Sequence, residues 1–141
     1  MPQFSQTSLA QLATCDTRLQ GLLREAIKRI DFKVIEGHRN QADQDAAFAR
    51  GASKLKFPHG KHNALPSRAV DIAPVYYEQG TQINWKDVPA FARLMGYLER
   101  IAEERGIKVR WGGDWDNDWR TATHDPGENF LDAPHLELVD P

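Results

Sequence analysis

GKHNALPSRAVDIAP, residues 60–74, decides how the rest of the chain is read. Its first half mixes Gly, Lys, Asn, Pro and Ser without periodicity, which reads as loop. Its second half, continued as RAVDIAPV (68–75), is a short apolar run and reads as a strand. A strand of this kind buries its side chains, yet this one carries an acid, Asp71, and a histidine, His62, stands just upstream. A carboxylate taken out of water needs a partner. Asp71 either pairs with a cation, for which Arg68 and Arg39 are available, or joins His62 in binding a metal.

Working outward, Leu19, Leu22, Leu23, Ala26, Ile27 and Ile30 follow helical spacing, with Asp16 as the N-cap. Ser8 to Thr14 is an earlier turn of that helix or a separate short one. DFKVIEG (31–37) reads as a strand with Phe32 and Val34 on one face. Asn40 to Arg50 is helical, stopped by Gly51. Residues 52–68 form a long loop, and long loops in small domains are commonly functional. Asp87 caps a further helix with Pro89 in its first turn. Its stripe is Phe91, Leu94, Met95, Leu98, Ile101 and Ala102, and Gly106 ends it. GIKVRWGG (106–113) and HLELV (135–139) are the remaining strands, separated by an acidic, aromatic loop. Helices and strands mix without regular alternation. The expectation is an α+β fold, with helices packed on a small antiparallel-rich sheet.

The 141 residues suit a single domain spanning 1–141. With 40% apolar and 27% charged residues, the chain has an ordinary globular composition. A net charge of −2 argues against a nucleic-acid partner and against stable association with an anionic membrane. The single cysteine, Cys15, excludes an internal disulfide and a Cys-based zinc knuckle. MPQFSQTSLAQLATCD (1–16) lacks the basic start and apolar run of a signal peptide, so a cytoplasmic location is expected.

A catalytic zinc site takes three protein ligands and keeps a position open. Without further cysteines the candidates are the acids and His38, His59, His62, His124 and His135. His135 opens the last strand. If that strand neighbours the one carrying Asp71, then His62, Asp71 and His135 can converge on one metal. Asp132, three residues before His135, can lie beside a reacting water as general base without being a ligand. Arg39 offers a cation for a developing oxyanion. Each has a plainer reading: a solvated loop histidine, an acid paired with arginine, a chance D-x-x-H.

Four blocks in order, EGHRNQADQ (36–44), GKHNALPSRAVDIAP (60–74), WGGDWD (111–116) and DAPHLEL (132–138), resemble the D-Ala-D-Ala metallopeptidase family. They are most similar to its endolysin branch, the phage L-alanyl-D-glutamate peptidases. The resemblance implies a Hedgehog/D-Ala-D-Ala-peptidase-like fold and one catalytic zinc ion held by His62, Asp71 and His135. It further implies Asp132 as catalytic base, Arg39 on the substrate carbonyl and Gln44 as a substrate-binding or supporting residue. The implied activity is cleavage of the L-Ala–D-Glu bond of the peptidoglycan stem peptide by a monomer without a separate wall-binding domain, held in the host cytoplasm until lysis. Two alternatives remain: a D-alanyl-D-alanine carboxypeptidase, and a non-catalytic peptidoglycan-binding or tail-assembly domain. Two departures stand out: Lys61 or Gly60 replaces the family's serine before the histidine, and NALPS lengthens the interval from His62 to Asp71.

Asp114, Asp116 and Asp118 alternate, and Asp125 is twelfth from Asp114, a partial echo of a calcium loop. Trp119 occupies the sixth position, where an EF-hand needs glycine. A regulatory calcium ion at Asp114–Asp118 is one reading. The other is that the acids cap turns while Trp111, Trp115 and Trp119 pack or line a groove.

Overall fold

The computed structural model describes residues 2–76, 82–122 and 130–139. The helices are α1 (Gln6–Leu12), α2 (Thr17–Ala26), α3 (Gln41–Ala49) and α4 (Val88–Glu104); the strands are β1 (Phe32–Glu36), β2 (Ala69–Pro74), β3 (Val109–Trp111) and β4 (His135–Leu138). The strands form one sheet in the order β1-β2-β4-β3, every neighbouring pair antiparallel. This is the expected α+β arrangement. Among the described residues no helix is long and apolar enough to cross a membrane.

Local chemistry sets the helix limits. Asp16 starts α2 by accepting the Arg18 N–H at 2.9 Å, Asn40 starts α3 by accepting from Asp43 at 2.9 Å, and Asp87 starts α4 through Ala90 at 3.3 Å. Gly51 and Gly106 follow α3 and α4 with φ of 78° and 69°, conformations a side chain would resist. The segment between Ser8 and Thr14 is a helix of its own, α1, capped by Ser5. Its buried Ser8 hydroxyl accepts the Val34 N–H at 3.0 Å, which fastens α1 to β1.

Each strand divides its side chains between two faces. Val70 and Ile72 of β2 and Leu136 and Leu138 of β4 join Leu19, Leu22 and Leu23 of α2 and Phe91, Leu94, Met95 and Leu98 of α4 in one core. Fully burying such a side chain contributes ~1.5–3 kcal/mol. Asp71, His135 and Glu137 occupy alternate positions on the same strands and so share the opposite face. α2 and α4 therefore cover one side of the sheet and leave the other for polar chemistry. The long loop reads as predicted, except that Lys61–Asn63 forms one turn of 3-10 helix bearing His62.

Candidate metal centre and groove

The sheet register assembles the site. Asp71 of β2 lies opposite His135 of β4 and, across a slip in register after Val34, opposite Glu36 of β1. One rung thus runs Glu36, Asp71, His135 over three strands. The adjacency that the sequence left open is present. His62 reaches the same point from its 3-10 turn, which is fastened to the end of β1. The Arg39 N–H donates to the His62 carbonyl at 2.8 Å, and the Asn63 amide donates to the Arg39 carbonyl at 3.0 Å.

His62 Nε2 is 3.2 Å from Asp71 Oδ1, and His135 Nδ1 is 3.4 Å from the same oxygen. A tetrahedral ion bound at ~2.0–2.1 Å requires ligand atoms ~3.3–3.4 Å apart. His62, Asp71 and His135 are therefore a group able to hold a metal ion. The far side of each imidazole is also occupied. His62 Nδ1 is 2.7 Å from the Gly37 carbonyl, and His135 Nε2 is 2.8 Å from Glu137 Oε1. These contacts hold a proton on the far nitrogen of each ring, so the nitrogen that faces Asp71 is the one available to a metal ion.

The electrostatics favour positive charge here. Burial opposes ionisation of Asp71, yet the charges and hydrogen bonds of His62 and His135 hold its carboxyl well below the usual range. Burial would lower His135, but its bonds to Asp71 and Glu137 outweigh this and raise it to about 10. Burial likewise acts against the Glu137 carboxylate, but His135 and Arg110 bring it down to about 2. Arg110 reaches Glu137 Oε2 at 2.9 Å and Lys61 at 3.4 Å, so the acid behind His135 is itself held by two cations. Asp132 differs. Burial, and then the Asp71 charge, push it up to about 6, in the range suited to a general base near neutral pH. Its Oδ2 lies 3.9 Å from His135 Nδ1.

Arg39 is buried, with 8% exposure. It donates through Nε to Glu36 at 2.9 Å and through Nη1 to Gln44 at 3.0 Å, and its Nη2 lies 3.6 Å from Asp71. Gln44 is fully buried. Its Oε1 accepts from Arg39 and from Asn63 at 3.2 Å, while Nε2 donates to Ser53 Oγ at 2.9 Å and the Leu55 carbonyl at 2.5 Å. An amide has two acceptor and two donor positions, and here each has a partner. Gln44 thus ties Arg39 to the 53–55 loop and the His62 turn rather than presenting a free group to a ligand.

These residues line a groove of about 480 Å³, with Trp115, Phe130 and Lys54 on its walls. Trp115 stacks on Phe130 at 6.1 Å between ring centroids and lies 5.5 Å from the His135 ring. The Lys54 ammonium stands 4.9 Å over Phe130. His59 is exposed at the groove edge. His38 sits apart, with Nδ1 3.1 Å from the Ala64 carbonyl. His124 and Asp125 lie outside the described residues.

Asp114, Asp116 and Asp118 each offer an oxygen within 4.8 Å of the others. Those oxygens are used in folding the loop. Asp114 accepts the Asp118 and Trp119 N–H groups at 3.1 and 2.9 Å, Asp116 accepts from Asp118 at 3.2 Å, and Asp118 accepts from Arg120 at 2.8 Å. The turn-capping reading accounts for them, and the calcium expectation gains no support. Trp111 is core, its indole N–H bonded to the Ala133 carbonyl at 2.7 Å.

Sequence reasoning missed Glu137 and the two cations that hold it, Lys61 and Arg110, whereas Trp115 lines the groove as one reading of the tryptophans had it. Glu137 had a signal: two residues after His135 in a strand, its side chain must share the histidine's face.

Residues 1–139 match the family model described as phage L-alanyl-D-glutamate peptidase. The chain is 34% identical to the L-alanyl-D-glutamate peptidase of Escherichia phage T5 over 145 aligned residues, covering 97% of this chain and 98% of that one. The crystal structure of the Serratia marcescens L-Ala D-Glu endopeptidase ChiX superposes with a TM-score of 0.71 and 27% identity, covering 94% of this chain and 86% of that one.

Proposed function

Because this chain belongs to the phage L-alanyl-D-glutamate peptidase family, we propose that it is a zinc-dependent endopeptidase cutting the L-Ala–D-Glu bond of the peptidoglycan stem peptide. The observation that carries the zinc reading is the convergence of His62, Asp71 and His135 at 3.2 and 3.4 Å, with Asp132 beside them in one groove.

His62 Nε2, Asp71 Oδ1 and His135 Nδ1 would hold the ion. Zinc bound there supplies Lewis acidity, which makes water a nucleophile at neutral pH and polarises a carbonyl. Asp132 takes a proton from the attacking water as its oxygen bonds to the L-Ala carbonyl carbon. When the carbon–nitrogen bond breaks, Asp132 delivers that proton to the departing D-Glu nitrogen and regains its starting state. A guanidinium has five N–H donors, so the bonds of Arg39 to Glu36 and Gln44 leave capacity for the oxygen that gains charge. Gln44 and Glu36 position Arg39, and Glu137 positions His135. The whole chain acts as one monomeric catalytic domain, kept in the cytoplasm until lysis opens the way to the wall.

The test pairs digestion of purified stem peptides, read by mass spectrometry, with elemental analysis of wild type and Asp132→Ala. Fragments with a new D-Glu amino terminus from wild type alone, with one zinc per chain in both proteins, are expected. Release of free D-Ala with the L-Ala–D-Glu bond intact would identify a carboxypeptidase. Equal cutting by the variant would remove Asp132 from the mechanism.

A further inference from the structure

We propose that a second cavity, on the far side of Trp115 and Arg110 from the catalytic groove, is a subsite for the glycan strand, with the Trp119 indole as its stacking platform. The inference rests on the cut assigned above and extends it to the sugar side of the substrate.

This cavity, about 620 Å³, is bounded by Glu103, Asp116, Asn117 and Trp119, and it shares Trp115 and Arg110 with the groove. Its volume suits a small organic ligand. The Arg110 guanidinium stands 5.9 Å over the Trp115 ring, and this stacked pair is the wall between the two spaces.

Trp119 is the unusual element. Its side chain is 64% exposed, so it fills no core. Its backbone has φ of 68°, a left-handed conformation that costs a bulky residue ~1–2 kcal/mol. The buried Asp114 carboxylate enforces that turn by accepting the Trp119 N–H at 2.9 Å. A strained backbone that holds a large aromatic ring out in solvent gains nothing from the ring's own burial. A ligand that covers the ring supplies the missing return.

Substrate chemistry says which ligand. In the stem peptide the L-Ala nitrogen is acylated by the lactyl group of N-acetylmuramic acid. With the L-Ala carbonyl at the metal centre, one residue, ~3.3–3.6 Å of chain, separates it from the lactyl amide. The sugar ring is therefore tethered within a few bonds of the groove, and the adjoining cavity is the space offered to it. A pyranose offers C–H faces to an indole and hydroxyls to carboxylate and amide acceptors, which Glu103, Asp116 and Asn117 provide.

The experiment is isothermal titration of the zinc-loaded chain with two ligands. One is GlcNAc–MurNAc–L-Ala, the sugar-bearing product of the assigned cut; the other is lactoyl-L-Ala, the same end without sugar. Wild type is compared with Trp119→Gly and Trp119→Tyr. Glycine adopts positive φ freely, so Trp119→Gly removes the ring without threatening the fold. The expected result is about tenfold weaker binding of the disaccharide ligand by Trp119→Gly, retention by Trp119→Tyr, and no change for lactoyl-L-Ala. Equal disaccharide binding by wild type and Trp119→Gly would overturn the proposal, as would wild type binding both ligands equally. The titration measures binding, not turnover, so its outcome is separate from that of the stem-peptide digestion.

Discussion

Replacing Glu99 with glutamine should stabilise the protein above neutral pH and leave it unchanged in acid. Glu99 is half-buried on α4 beside the loop that carries Asp114. Burial, and then the Asp114 charge, raise its carboxyl from 4.5 to about 7. In the unfolded chain the group titrates at its ordinary value. Between the two values the folded state keeps a proton that the unfolded state has lost. Wild-type stability therefore falls as pH rises from 4.5 to about 7 and stays at the lower level above that. The full displacement corresponds to ~3.4 kcal/mol. The carboxyl is partly exposed, and solvent screening reduces this to ~1.5–2 kcal/mol. Glutamine keeps the shape without the charge. At pH 8 the variant should resist urea better by that amount and melt ~4–7 °C higher. At pH 4, where both states of wild type are protonated, the two proteins should unfold together. No advantage at pH 8, or the same advantage at pH 4, would refute the argument.

Three further outcomes are expected. Glu137→Gln removes the charge 2.8 Å behind His135 and should weaken zinc binding ~10–100-fold in a chelator competition; unchanged affinity would deny Glu137 its positioning role. Gly112→Ala would put a methyl group 2.2 Å from the Asp132 carbonyl oxygen and 2.9 Å from its Cβ, so Asp132 must move. kcat should fall ~100-fold while zinc content holds, and full activity would show that the position of Asp132 is not critical. Imidazoles ligate only when neutral, so zinc affinity should fall steadily as pH is lowered toward 4, followed with a metal-sensitive dye; an affinity unchanged down to pH 4 would argue against histidine ligands.

Much of this was legible from residues alone. Local rules placed α2 and α4, because their apolar stripes, caps and stop glycines agree with one another. The strand status of 68–75 and 135–139 was equally clear. What no local rule contains is that β4 inserts between β2 and β3, and only that pairing sets His135 against Asp71. Which of its two readings Gln44 takes, supporting rather than facing the groove, was hidden for a related reason. Glutamine is ordinarily exposed, yet here it shares the inward face of α3 with Ala47, three residues on. Trp119 was grouped with its neighbouring tryptophans because a positive φ leaves no mark in composition.

The strand order also fixes when the site can exist. β4 is the last of the four strands to be synthesised, yet it occupies an inner place in the sheet. Until it arrives, β2 and β3 lack their common neighbour, and two ligands wait for the third. A nascent chain halted before residue 135 carries His62 and Asp71 but no centre. Closing so long a span makes assembly of the sheet a late, non-local event in folding. On the proposed reading, hydrolytic competence waits for β4, and a chain cut short before His135 cannot become a working lytic enzyme.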